Sequence, residues 1–180
     1  MQRAGVHQSR WGWLLSLLVA VRVFCAVVVF YGLIEDLRLL ATCVFALACV
    51  TDLLDGQIAK RTGTSSLLGS YADPAADFLL VLGAFSAFVL DGVYPIWTVV
   101  VIVLMFLQFV LTSGRSGPLY DPMGKYYGAA LFAAVGITLV SSSPLVRRGV
   151  LVGVVLCTGV SVASRCVHLI RASKAVPPHR

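Results

Sequence analysis

"TDLLDGQIAKRTGTSSLLGSYADPAADF", residues 51–78, holds four of the chain's eight acidic residues: Asp52, Asp55, Asp73 and Asp77. Both flanks are long apolar runs. One carboxylate at the centre of a membrane helix costs about 2.5–3.5 kcal/mol on insertion scales. Four without partners would therefore cost roughly 10–14 kcal/mol, comparable with the stability of a whole domain. The rest of the sequence makes the membrane the right setting. Of 180 residues, 59% are apolar and 12% charged, against about 45–50% and about 25% in soluble domains. The expected class is an all-α integral membrane protein. The length suits six spans of about 20 residues, with short connections, in one bundle. Membrane lipids are expected partners; nucleic acid is not.

Working outward from the acidic stretch, the sequence predicts helices at about 12–34, 38–61, 71–90, 95–113, 124–141 and 146–170. Charged "EDLR" (35–38), turn-forming "DGVYP" (91–95) and polar "SSSP" (141–144) separate them. "RTGTSSLLGS" (61–70) and "SGRSGPLYDPMG" (113–124) are the longer loops. Residues 1–11 are expected as a cytoplasmic lead-in, 12–170 as the membrane domain, and 171–180 as a disordered cytoplasmic tail. The first apolar run follows Arg3 and Arg10, as in a signal peptide. It is long, contains Arg22 and lacks a small-residue cleavage site, so it reads as a span. With both termini cytoplasmic, ten basic residues fall inside and three outside (Arg38, Arg147, Arg148), with Arg22 within a span. That asymmetry follows the positive-inside rule and puts the acidic stretch on the cytoplasmic side of the cell (inner) membrane.

Residues three or four apart share a helix face. Asp52 and Asp55 are spaced i, i+3, and Asp73 and Asp77 i, i+4, so two adjacent helices can bring both pairs together. Such a cluster repels itself. Hard divalent cations relieve the repulsion, and Mg²⁺ commonly bridges protein carboxylates to substrate phosphates. Gly56 and Ala59 thin the face beside Asp55. Lys60 and Arg61 can meet diphosphate oxygens, and Gly69 permits close approach. Pro74 is tolerable if the third helix has begun only one turn earlier.

The pattern Asp52-x-x-Asp55-Gly56-x-x-Ala59-Lys60, then Gly69-x-x-x-Asp73-x-x-x-Asp77, resembles the signature of the CDP-alcohol phosphotransferase (CDP-alcohol phosphatidyltransferase) family. That signature reads D-x-x-D-G-x-x-A-R, then G-x-x-x-D-x-x-x-D, and seven of its eight fixed positions are present. Lys60 replaces an arginine, which keeps the charge but not the bidentate fork. The resemblance extends to six helices and an arginine in the first. It implies a homodimeric membrane enzyme of phospholipid biosynthesis with a CDP-linked lipid donor, such as CDP-diacylglycerol. The phosphatidyl group would pass to a polar alcohol, with release of CMP. It further implies two Mg²⁺ or Mn²⁺ ions on Asp52, Asp55, Asp73 and Asp77, and Asp77 also as general base. Gly56, Ala59, Lys60 and Gly69 would form the CDP site. "ADPAAD" (72–77) and Gly124–Lys125 are similar to segments of the phosphatidylglycerophosphate synthases, although Phe78 stands where those carry lysine.

Blander readings sit beside these. The aspartates could be helix ends reaching the interface, which leaves their spacing and the glycines unexplained. Arg22 can pair structurally or bind an acceptor or lipid phosphate. Arg115 and Lys125 can bind the same group or serve as ordinary inside charge. Cys25, Cys43, Cys49, Cys157 and Cys166 read as small packing residues. A phosphate-bearing acceptor is preferred, with inositol phosphate, serine or a phospholipid as alternatives. A cation transporter would spread its acids through the bilayer depth; here they cluster near one face. A catalytically dead scaffold would be expected to have lost some of the four.

Overall fold

The computed structural model describes the backbone of residues 4–62, 67–112 and 122–174, and the side chains of residues 17, 19–52, 74–111 and 126–164. All regular structure in the described residues is helical. The order is α1 (Ala4–Ile34), α2 (Arg38–Thr62), α3 (Leu67–Leu90), α4 (Trp97–Thr112), α5 (Pro122–Val140) and α6 (Pro144–Lys174).

The expected breaks fall where the helices end, and two of them close with the same hydrogen-bond motif. At the end of α1, Leu37 N–H donates to the Gly32 carbonyl (2.7 Å) and Asp36 N–H to that of Leu33 (3.1 Å). At the end of α3, Val93 N–H donates to the Phe88 carbonyl (2.8 Å) and Gly92 N–H to that of Val89 (3.0 Å). Each is a Schellman cap, whose pivot residue needs a left-handed backbone. Gly92 supplies φ +69° freely, while Asp36 adopts φ +57°, a conformation Asp tolerates better than most residues with a Cβ. α6 opens on Pro144, at a helix start where a missing N–H costs nothing.

Three boundaries differ from the sequence expectation. α1 begins at Ala4, since residues 4–11 contain no proline to stop it. α6 continues to Lys174, into the expected tail; residues 175–180 lie outside the described residues. α3 begins at Leu67, so Pro74 is its eighth residue rather than a first-turn residue. Lacking an N–H, Pro74 deprives the Ser70 carbonyl of its i+4 donor, in the segment between Asp73 and Asp77.

Contacts group the helices into two compact units, α1 to α4 and α5 with α6. In the first, α1 packs on both α2 and α3, and α3 packs on α4. Its core comprises Ala26, Val29 and Leu33 of α1, Ala41, Phe45 and Ala48 of α2, and Leu80, Val81, Ala84, Phe85 and Phe88 of α3. Small residues let the backbones approach: a Cβ on Gly83 would stand 3.3 Å from the Ala26 carbonyl oxygen, and one on Gly32 3.5 Å from the Ala41 Cβ. This is how helices associate in lipid, where apolar burial alone gives no drive. Phe78 stacks on Phe106 of α4 at 3.9 Å, and Phe85, Phe88 and Tyr94 pack ring against ring. In the second unit, Leu131, Ala134, Val135 and Leu139 of α5 and Val154 of α6 are buried. The Thr158 and Tyr127 hydroxyls are hydrogen-bonded at 3.2 Å.

The outward faces are apolar too. Phe24, Leu39, Leu47, Leu90, Leu104 and Leu111 in the first unit, and Val140, Leu145 and Leu156 in the second, are all exposed. Among the described residues, Pro144–Ser164 is long and apolar enough to cross a membrane. Val19–Ile34, Pro74–Leu90, Trp97–Leu111 and Tyr126–Val140 are shorter apolar helical stretches.

Candidate active site

Arg22 lies one turn before Ala26 on α1, and Asp77 one turn before Val81 on α3. The Ala26–Gly83 approach brings these two helices close, and Asp52 comes from α2. Arg22 reaches both acids. Its Nη1 donates to Asp77 Oδ1 at 2.7 Å and its Nη2 to Asp52 Oδ1 at 2.5 Å. Both are short, charge-assisted bonds. One guanidinium thus ties three helices together, because α1 is the helix that contacts both of the others.

Burial is uneven in a way that matters. The Arg22 side chain is 7% exposed, against 42% for Asp52 and 30% for Asp77. The cation forms a buried floor, and the two carboxylates stand above it, open in part to solvent. A buried guanidinium needs such partners, since a buried charge left without any compensation is strongly destabilising.

The neighbouring positions follow from the helices. Asp55, Gly56, Ala59 and Lys60 lie on α2 beyond Asp52, and Gly69 and Asp73 lie on α3 before Asp77. The side chains of these six lie outside the described residues, as does that of Lys125, on α5. Arg115 lies outside the described residues altogether. Of the site residues expected from sequence, the described ones are Arg22, Asp52 and Asp77, and the structure brings all three together. Phe78 turns the other way: one step along a helix rotates a side chain about 100°, which sets its ring against Phe106. Cys25 is buried and Cys49 half-buried, one turn before Asp52, and neither is in a disulfide.

The direct bonding of Arg22 to the aspartates was only one of the roles open to it in the sequence. The signal available was a charge inside one apolar run and acids near the ends of the next two, since intramembrane charges pair with one another.

The Asp52–Asp77 pair suits a hard divalent cation. Both residues offer carboxylate oxygens, the donors that Mg²⁺ and Mn²⁺ prefer. They come from different helices, and both are partly exposed.

A match to the CDP-alcohol phosphatidyltransferase family spans residues 13–163, which includes Arg22, Asp52 and Asp77. A CDP-diacylglycerol–glycerol-3-phosphate 3-phosphatidyltransferase of Blochmanniella floridana is 37% identical over 70 residues, covering 39% of this chain and 37% of that protein. The corresponding transferase of Bacillus subtilis is 30% identical over 105 residues, covering 56% and 54%. A cardiolipin synthase (CMP-forming) of Streptomyces coelicolor is 31% identical over 107 residues, covering 56% and 50%. The chain spans about half or less of the length of these relatives. By the extent of the family match, the chain belongs to the CDP-alcohol phosphatidyltransferase family.

Proposed function

We propose that the protein transfers a phosphatidyl group from a CDP-linked lipid, such as CDP-diacylglycerol, to the hydroxyl of a polar alcohol, releasing CMP. The observation that carries this reading is the meeting of Asp52 and Asp77, one from each half of the acidic signature, over the buried guanidinium of Arg22. A phosphate-bearing acceptor such as glycerol 3-phosphate is favoured by the names of the Blochmanniella and Bacillus relatives. The cardiolipin synthase resemblance supports a second reading in which the acceptor is itself a phospholipid.

In this reading Asp52, Asp55, Asp73 and Asp77 hold two Mg²⁺ or Mn²⁺ ions, which supply neutralising charge at the diphosphate. Gly56, Ala59 and Gly69 leave room for the CDP moiety, and Lys60 meets its phosphates. Asp77 also takes the proton from the acceptor hydroxyl as a positioned general base. Six spans place both termini and the acidic stretch on the cytoplasmic side, and the working unit is a homodimer. The exposed apolar faces of the helices support the membrane setting.

The test is CMP release by purified protein supplied with CDP-diacylglycerol and, separately, glycerol 3-phosphate, inositol phosphate, serine or phosphatidylglycerol. Acceptor-dependent CMP release with glycerol 3-phosphate is the expected result. Release with phosphatidylglycerol alone selects the second reading, and release with none of the four refutes both.

A further inference from the structure

We propose that Arg22 is a positioning residue for the metal site, a guanidinium fork that fixes Asp52 and Asp77 relative to each other so that the carboxylates are set for a divalent cation. The inference rests on the metal-dependent reading above. Three observations carry it. Each terminal nitrogen of Arg22 is committed to a different carboxylate, at 2.7 and 2.5 Å. The two acids sit on different helices, so no local backbone relation holds them in register. And Arg22 is buried while both acids are partly exposed, which leaves the fork beneath the site rather than in the path of a ligand. A planar, rigid fork can hold two separate carboxylates at a set spacing, whereas an ammonium on a flexible stem is a point charge without fixed directions. Partners of this kind, which orient the ligands of a metal, typically change metal affinity or activity by about 10–100-fold when altered.

The assignment separates Arg22 from a residue that grips an acceptor or lipid phosphate. A phosphate ligand acts on substrate affinity. A positioning residue acts on the metal before any substrate is present.

The experiment uses full-length protein in lipid nanodiscs, wild type and Arg22→Lys, titrated with Mn²⁺ by electron paramagnetic resonance without substrate. Both are then assayed for CMP release at saturating Mn²⁺. The lysine variant is expected to bind Mn²⁺ at least about tenfold more weakly and to lose kcat, with KM for donor and acceptor changed less than about twofold. Equal Mn²⁺ affinity in the two proteins, with uptake intact in wild type, overturns the positioning role and leaves the metal site standing. A raised substrate KM at unchanged kcat and Mn²⁺ affinity also overturns it, and makes Arg22 a substrate ligand. If neither protein takes up Mn²⁺, the metal reading itself falls and the inference with it. Should Arg22→Lys aggregate in EDTA, purification in millimolar Mn²⁺ decides: recovery of a monodisperse protein supports the proposal, and aggregation in both media makes Arg22 a fold residue only and overturns it.

Discussion

Replacing Asp77 by asparagine separates the chemistry of the site from the packing of the three helices. The amide keeps the side-chain volume and can still present an oxygen to Arg22 Nη1, which lies 2.7 Å from Asp77 Oδ1. What is lost is charge. The bond to the amide still has a charged donor, so what goes is the ion pair with a partly exposed acid. Between the about 0–1 kcal/mol of an exposed pair and the about 1.5–3 of a hydrogen bond to a charged group, the variant should be destabilised by about 1–1.5 kcal/mol. Arg22 keeps its bond to Asp52 and is not stranded. Against a total stability of about 5–15 kcal/mol, the variant remains more than about 99% folded. Turnover should behave differently. If Asp77 takes the acceptor proton, its removal lowers the chemical step about 10²–10⁴-fold, equivalent to about 2.7–5.4 kcal/mol of barrier. The loss of rate therefore exceeds anything that unfolding can explain. The assays are single-turnover CMP release, CDP-lipid binding and thermal unfolding, all in nanodiscs. CMP release within a few-fold of wild type refutes the general-base role. Destabilisation well beyond 1.5 kcal/mol refutes the premise that the amide can hold Arg22.

Chelation of divalent cations with EDTA should abolish CMP release and Mn²⁺ should restore it; undiminished turnover in excess chelator removes the metal from the mechanism. Leu80, fully buried on α3 one turn from Asp77, should lose about 2–5 kcal/mol of stability on substitution by alanine, seen as a lower unfolding midpoint, whereas an unchanged midpoint would mean that the α3 core is not packed as described. Gly83→Val places a branched side chain where even a Cβ would lie 3.3 Å from the Ala26 carbonyl oxygen, and overpacking of this kind costs about 1–3 kcal/mol. Wild-type thermal stability in that variant contradicts the close approach of α1 and α3.

Much of the helix layout was legible because the breaks are chemically blunt. Charged "EDLR", "DGVYP" with its glycine, and "SSSP" interrupt runs that are otherwise apolar, and the helices end at those places. The ends without such punctuation were not legible. Nothing in residues 4–11 stops α1, and nothing before Lys174 stops α6. Pro74 misled for a definite reason: proline favours helix starts, yet here it sits two turns inside α3. Within the site, the spacing of Asp52 and Asp77 with their neighbours marks both acids from local periodicity alone. The Arg22 link could not be read that way, because it joins residues 30 and 55 positions apart, and periodicity describes a single helix.

That long-range link bears on how the chain is made. Synthesis at about 5–20 residues per second separates the appearance of Arg22 from that of Asp77 by about 3–11 s, given the 55 positions between them. For the first 30 of those positions neither acid has been made, and for the rest Asp77 is still missing; in the membrane setting proposed above, an unpaired charge at the centre of a span costs about 2.5–3.5 kcal/mol. In that setting the nascent first helix is not a finished anchor. It waits for its second neighbour, α3, and a chain that stops after α2 leaves Arg22 with one partner too few.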